Sequence, residues 1–443
     1  MTLKLASNAS DGARERSIIV AVDIGTTFSG VAWAQTAQPN QQITIVQWPN
    51  TEGSLEGQTS EKAPTELCFS DGTVRWGFQI PEDEQRYQWF KLGLDPEHEK
   101  AVSYLSVHYP DPKALPPAYG GANSPVLLAT MCLRCLREHT LHVLKLKLGE
   151  GVVNSTPLRF IITVPAICDD AAKARAQRCG VDAGMGNDIR IILEPKDAVV
   201  FALSSMDHHI PSPGDSFVLC DAGGGMVDLI SYSIVELQPL LKVREAVPGS
   251  GHACGSTFLN CIFGRVLEED ISDAEGYDDD TIDEALRDFE TSVKRKFRGE
   301  EESVMIRVRG LVDRPEKGIK RGRLTVSRGK MKSLFEPVIY SIITLATSQL
   351  KQTKQAKAVI LVGGLGQSSY LRAYIIEVVG NKIEVIQPVE GWTAVVKGAL
   401  IKGLSETVPD SPGPCVAIRV SRKSYGVRGD QIFNPLVHDN AKK

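Results

Sequence analysis

The stretch IIVAVDIGTTFSGVAWAQ, Ile18–Gln35, decides how the chain is read. Its opening apolar run, Ile18–Val22, predicts a buried strand. An acid (Asp23), a glycine (Gly25) and two hydroxyls (Thr26, Thr27) follow at the strand's end. The next apolar run, from Phe28, leaves the turn as another strand. Such a tip is either a polar hairpin end or a cradle for phosphate and metal.

A second stretch, SFVLCDAGGGMVDLISYSI (Ser216–Ile234), repeats the pattern of apolar strand, Asp, any residue, Gly, two small residues and a further strand. Asp23 and Asp221 thus sit at matching places in opposite halves of the chain. A duplicated strand–turn–strand predicts two related lobes, each offering one turn to a shared cleft. Turns rich in Gly, Ser and Thr let backbone N–H groups approach phosphate oxygens. A strand-end carboxylate holds Mg²⁺, usually through waters. This is not a Walker loop, because no GK[ST] is present and a strand follows the turn. A third glycine turn lies in AVILVGGLGQSSYLRAYI (Ala358–Ile375), with a helix expected from about Ser368. It lacks the dinucleotide G-x-G-x-x-G register, but suits a nucleoside face or α-phosphate.

The chain has 443 residues, 42% apolar and 23% charged, with net charge −4, which is enough for two or three domains with ample core. No strong field of either sign points to nucleic acid or membrane as partner. The polar N-terminus has no apolar signal region, and no run nears the roughly 18 apolar residues of a membrane span. Nine scattered cysteines fit reduced thiols in a cytoplasmic setting.

Strands and helices alternate from Ser17 to about Ser205. SPVLLATMCLRCLREHTLHVLKLKLG reads as an amphipathic helix, RFIITVP as a strand and DDAAKARAQRCGVDAG as a helix. DHHIPSPGDS reads as a connection between lobes. The acidic stretch 268–290 and the basic VKRKFRGE read as solvated helix faces, and SVMIRVRG with GRLTVSR as a hairpin.

Jointly, these elements resemble the ATPase domain of the heat-shock 70 kDa (DnaK-type) family, within the actin-like superfamily, over roughly residues 17–405. IILEPKDAVVFAL resembles that family's strand–Glu-Pro–helix crossover. GWTAVVKGALIKGL resembles its late helix, GHACGSTFLN its glycine segment before a helix, and GRLTVSRGKMKSLFEPVI the segment entering its last lobe. The likeness is strongest to the divergent twelve-type branch, expanded in filamentous fungi, which lacks the usual peptide-binding half. It implies an α/β, actin-like ATPase fold: two duplicated lobes of mixed sheet and helices around a nucleotide cleft. Lobe I would span 17–210 and lobe II 211–405, with a flexible tail at 1–16 and a short extension at 406–443, read as the start of a truncated β-region.

The resemblance implies ATP or ADP with Mg²⁺ as ligands, and a protein partner or co-chaperone. Asp23 and Asp221 would flank the Mg²⁺–phosphate unit, holding the ion through water. Gly25, Thr26 and Thr27 would grip the β- and γ-phosphates from one side, and Gly223, Gly224 and Gly225 from the other. Glu194 would lie near metal and attacking water. Gly255, Ser256, Lys294 and Arg295 would approach ribose and adenine, and Gly363, Gly364 and Gln367 the adenine side.

Three positions depart from the pattern. Met226 stands where the second phosphate turn normally has threonine. The lysine that the resemblance leads one to expect is missing from WGFQIPEDE, where Pro81 falls, and Lys91 in QWFKLG would take its place. Gln367 replaces an arginine that stacks on adenine. Loss of a cation and a hydroxyl costs phosphoryl transfer more than nucleotide binding. The reading is therefore an ATP-binding module with Mg-dependent lobe closure and slow hydrolysis. The alternatives are a non-hydrolysing, nucleotide-sensing scaffold and, from the same superfamily, a small-molecule kinase.

Cys132, Cys135, His139 and His142 suggest zinc, but on one helix the outer two stand about 15 Å apart, too far for one tetrahedral ion. They read as a helix face, His208–His209 as loop and Cys220 as core.

Overall fold

Two six-stranded mixed sheets share one five-strand order and differ in where the sixth strand pairs. The computed structural model describes residues 16–95 (71, 83 and 85 apart), 124–165, 168–194, 198–199, 201–202, 212–237, 241–408, 415–418 and 420. The N-terminal tail, the His208–His209 connection and most of the C-terminal extension lie outside the described residues.

In the first sheet, β1 (Ile18–Ile24) and β2 (Phe28–Gln35) run antiparallel, with Asp23 opposite Gly30. β3 (Ile43–Thr44) and β4 (Ala63–Pro64) both pair with β2. β5 (Leu158–Val164) and β6 (Arg190–Leu193) extend the other side in parallel, giving the order β6-β5-β1-β2-β3. The second sheet comprises β7 (Ser216–Ala222), β8 (Val227–Glu236), β9 (Lys242–His252), β10 (Ala356–Val362), β11 (Glu384–Ile386) and β12 (Cys415–Ile418). Its order is β11-β10-β7-β8-β9-β12. β7 is antiparallel to β8 and parallel to β10, so it occupies the place of β1. Asp23 and Asp221 thereby become equivalent strand-end acids.

β1 reads as an unbroken apolar run because both of its faces are covered. Val20 and Val22 pack toward α1 (Pro125–Leu148) and α2 (Asp170–Asp182), beside Leu133, Leu136 and Cys179. The start of α1 follows from its sequence: the Ser124 hydroxyl accepts from Leu127 N–H at 3.2 Å, and Pro125 takes the first helical position. On the second sheet, Val218 and Cys220 pack with Phe258 of α3 (Ser256–Ile271) and Phe335 of α4 (Arg328–Gln352). α5 (Ser369–Val379) starts at the expected Ser368 cap.

The remaining faces are covered crosswise. Ala198, Val199 and Ala202 follow the first sheet in sequence, yet pack on Leu219, Ile230 and Tyr232 of the second. Conversely α6 (Ala394–Thr407) follows the second sheet, yet lays Val396, Ala399, Leu400 and Leu404 on Ile19, Ala21 and Ile161 of the first. This exchange ties the two sheets together and fixes how their strand ends face each other.

The expected hairpin is present, Ser303–Arg307 against Arg323–Ser327, with Ile319–Lys320 as a third strand. The four candidate zinc ligands lie on α1. His139 is buried there, its Nε2 2.8 Å from the Gln47 carbonyl and its ring stacked 5.3 Å from that of Trp48. No described helix is long and apolar enough to cross a membrane.

Candidate functional site

The carboxyl-terminal ends of β1 and β7 open on one cleft of about 400 Å³, within the usual range for small-molecule sites. Asp23, Thr26 and Thr27 line it from the first hairpin, and Asp221, Gly223, Gly224 and Gly225 from the second. The two tips touch: a Cβ on Gly224 would collide with the Thr27 side chain, and one on Gly225 with that of Thr26. Backbone approach this close needs glycine.

Asp23 is 4% exposed and fully engaged. Lys62 Nζ donates to Oδ2 at 2.5 Å, and Thr163 Oγ1 on β5 donates to Oδ1 at 2.9 Å. Burial opposes ionisation, but the Lys62 and Lys91 ammoniums outweigh it and hold the carboxyl below the ordinary aspartate value. Lys91 Nζ donates to Glu194 Oε1 at 2.6 Å, where the chain leaves β6. Burial and the nearby Asp23 push Glu194 up against the pull of Lys91. Lys91 resists its own burial through Glu194 and Asp23, and its ammonium is held above the usual lysine value.

Asp221 differs. It is 7% exposed, and among the described residues no ion pair or hydrogen bond engages its carboxylate. Burial, reinforced by repulsion from Glu194 and Asp23, pushes it up to about 7. Asp23, Glu194 and Asp221 thus share the cleft with Lys62 and Lys91, and Asp95 and Asp228 line it as well. A cation beside Asp221 would favour its ionised form. Hard oxygen donors on two strand ends suit Mg²⁺, which keeps most of its waters and takes only one or two carboxylates. No group of three or more His, Cys, Asp or Glu side chains that could hold a metal occurs among the described residues.

The third glycine turn closes the cleft from the second sheet. Gly363 has φ +82°, and a Cβ there would meet Asp221 Oδ1 and the Ala222 carbonyl, both at 2.5 Å. Gly364 and Gln367 also line the cleft, and Gln367 Nε2 is buried without a partner. Lys294 lines it too, donating to Asn260 Oδ1 at 3.0 Å and pairing with Glu290. The basic block is thus not wholly a solvated face: Lys294 is 6% exposed, because the Glu290 carboxylate and the Asn260 amide replace its water. Arg295 remains exposed and lies over the rings of Phe28 and Trp392, 5.7 and 5.5 Å from their centroids.

Ser256 lines the cleft but Gly255 does not. Gly255 N–H donates to the Gly225 carbonyl at 3.1 Å, Ser256 N–H to Gly223 at 3.1 Å and Thr257 N–H to Gly224 at 2.8 Å. The first N–H groups of α3 are spent bracing the second turn, which puts Gly255 behind it. Lys62 escaped sequence reading: nothing in SEKAPT marks it, and only the pairing of β4 with β2 carries it to Asp23. Phe28, Thr163 and Trp392 were missed for the same reason, since each belongs to a strand or turn explained locally.

Paired hairpins of this kind, on sheets sharing one five-strand order with exchanged helices, define an actin-like α/β ATPase fold around a nucleotide-type cleft. The family model described as Hsp70 protein matches residues 118–408, about two thirds of the sequence. The chain belongs to the Hsp70 family. It is 24% identical to mouse heat shock 70 kDa protein 12A over 93% of this chain and 72% of that protein. It is 23% identical to human heat shock 70 kDa protein 12B over 96% of this chain and 73% of that protein. To chaperone protein DnaK of Nitrosopumilus maritimus it is 25% identical, over 66% of this chain and 45% of that protein. Family membership makes the chain an Hsp70-like nucleotide-binding protein.

Proposed function

We propose that this chain binds ATP and ADP with Mg²⁺ between two lobes, the two six-stranded sheets with the helices upon them, and that it hydrolyses ATP slowly. One observation carries the reading. Asp221 is a buried carboxylate with no ion-pair partner among the described residues, set beside the Lys62–Asp23 pair where two glycine turns touch. Asp23 and Asp221 would hold the ion through water, and the ion would supply charge for the β- and γ-phosphate oxygens. The turns at Gly25–Thr27 and Gly223–Gly225 would orient those oxygens. Lys62 and Lys91 bring the positive charge for which the family pattern uses one lysine. Glu194, held by Lys91, would keep a proton acceptor beside the reacting water.

Met226 favours a second reading, a nucleotide-sensing scaffold without turnover. Its side chain packs on Leu92 and Trp89 where a hydroxyl would orient water. Both readings share nucleotide-dependent closure of the cleft. Calorimetric titration with ATP and ADP, with and without Mg²⁺, tests the binding common to both. Mg-dependent affinity that disappears in Asp221→Asn is the expected result. Steady-state hydrolysis then separates them: turnover abolished in Asp23→Asn supports the enzyme, and no turnover in the native chain supports the scaffold.

A further inference from the structure

We infer that Trp392 is the base-stacking, specificity-setting residue of this cleft, and that it makes the site a purine-class site rather than one strict for adenine. The inference rests on the nucleotide reading above. Trp392 belongs to the turn between β11 and α6, and three backbone hydrogen bonds preorganise that turn. Gly391 N–H donates to Pro388 at 3.0 Å, Thr393 N–H to Glu390 at 3.0 Å, and Gly363 N–H to the Gly391 carbonyl at 3.0 Å. The last bond pins the indole to the glycine turn that also touches Asp221. Ring and metal side are therefore held in fixed relation.

The indole is half-buried and lines the cleft, edge-on to Phe28 with centroids 5.4 Å apart. Arg295 lies 5.5 Å over the indole, too close to admit a ring as it stands, but it is itself exposed, so its guanidinium can move outward and let a flat group enter without unpacking core. Both walls attract π surface, one by stacking and one by cation–π contact. A two-ring base covers more of that surface than a one-ring base. Gln367 also lines the cleft, and its buried Nε2 has no hydrogen-bond partner among the described residues; a turn of the amide would offer it to a ligand acceptor. Adenine and guanine both carry ring-nitrogen acceptors, and an amide presents a donor and an acceptor side by side. One Gln therefore serves either purine. Val389, which also lines the cleft, is apolar and 98% exposed, and its side chain offers an exocyclic substituent no hydrogen bond.

The test measures Mg²⁺-dependent binding of ATP, GTP, CTP and inorganic tripolyphosphate to the full chain, Trp392→Ala, Trp392→Phe and Gln367→Ala. The native chain should bind ATP and GTP within about tenfold of each other, and CTP at least tenfold more weakly. Trp392→Ala should lose about tenfold for both purines, ~1.4 kcal/mol, and leave tripolyphosphate unchanged. Trp392→Phe should keep most of the affinity, and Gln367→Ala should lose purine affinity with tripolyphosphate again unaffected. ATP should quench indole fluorescence in the native chain but not in Trp392→Phe. ATP affinity unchanged in Trp392→Ala, or GTP a hundredfold weaker than ATP, overturns the inference while the nucleotide reading stands. Failure of the native chain to bind tripolyphosphate or ATP overturns the nucleotide reading, and this inference with it.

Discussion

Lys62 reaches Asp23 at 2.5 Å by running its alkyl stem over Gly30, the residue paired opposite Asp23 in the strand register. A Cβ on Gly30 would stand 3.2 Å from Lys62 Cγ, so the bare glycine makes the slot through which the base approaches the acid. One backbone pairing thus places both the carboxylate and the path of its counter-ion.

Breaking this pair leaves an uncompensated buried charge. Lys62→Met keeps the stem and removes the ammonium, so the nucleotide-free protein should lose about 3–5 kcal/mol in urea unfolding. Adding Asp23→Asn should restore part of that loss, because the orphaned charge is then gone. Two single losses that simply add in the double variant would show that the pair does not interact in the folded state.

Asp221 predicts the opposite sign. Its carboxyl is pushed up to about 7 in the folded protein, against 3.8 for the free side chain, by burial and then by Glu194 and Asp23. The folded state therefore holds the proton more tightly than the unfolded chain. This contribution to stability is fully present below pH about 4 and is lost as pH rises through about 7. At pH 8 without nucleotide, Asp221→Asn should be more stable than the native chain by ~2–4 kcal/mol. The difference should shrink steadily below pH 7 and close as pH nears 4. The same variant should bind Mg–nucleotide less well, a gain in stability bought with a loss of site. A native denaturation midpoint that stays flat between pH 5 and 8 contradicts this account.

Much of the fold is readable from β1 and β7, because a strand buried on both faces has little choice but an apolar run, and the acid–glycine tips repeat. Helix positions follow from caps such as Ser124 and Ser368. Which sheet a helix covers is another matter. The apolar residues of α6 announce a buried face but not its partner, and the exchange with Ala198–Ala202 emerges only in three dimensions. The site divides similarly. Gly25, Thr26 and Asp221 sit in the motif that names them, whereas Lys62 and Trp392 reach the cleft through β4 and a late turn. Gly255 was assigned to the cleft from its motif, yet its N–H is consumed by Gly225.

The turn at Gly363 has no room for a side chain. Its φ of +82° is a left-handed conformation, and a Cβ would press on both the Asp221 carboxylate and the Ala222 carbonyl. Gly363→Ala should cost ~1–2 kcal/mol from backbone strain alone, with the collision adding to it. Displacing Asp221 should also weaken Mg-dependent nucleotide affinity. Chemical denaturation and calorimetry on the same preparation check both effects. Native-like values in both would mean that the turn relaxes freely and does not position the acid.

Met226 decides between turnover and sensing. It is 7% exposed, against Leu92 and beside Trp89, and its carbonyl accepts the Gly223 N–H at 2.9 Å, closing the second turn. The second turn is thus closed by its own backbone, and under the proposed reading the side chain at 226 is what departs from the family pattern. Met226→Thr supplies the missing hydroxyl at the cost of a small apolar contact, ~1–2 kcal/mol of stability. If slow hydrolysis is limited by water orientation, this one change should raise kcat about tenfold or more and leave the Kd for ATP within about threefold, since binding rests on backbone and carboxylates. Lys91→Met in the same background should remove the gain, because Lys91 holds at 2.6 Å the Glu194 carboxylate proposed to face that water. Single-turnover hydrolysis of radiolabelled ATP measures both. A threonine variant that binds ATP well and still shows no turnover would place the defect elsewhere in the cleft and favour the scaffold.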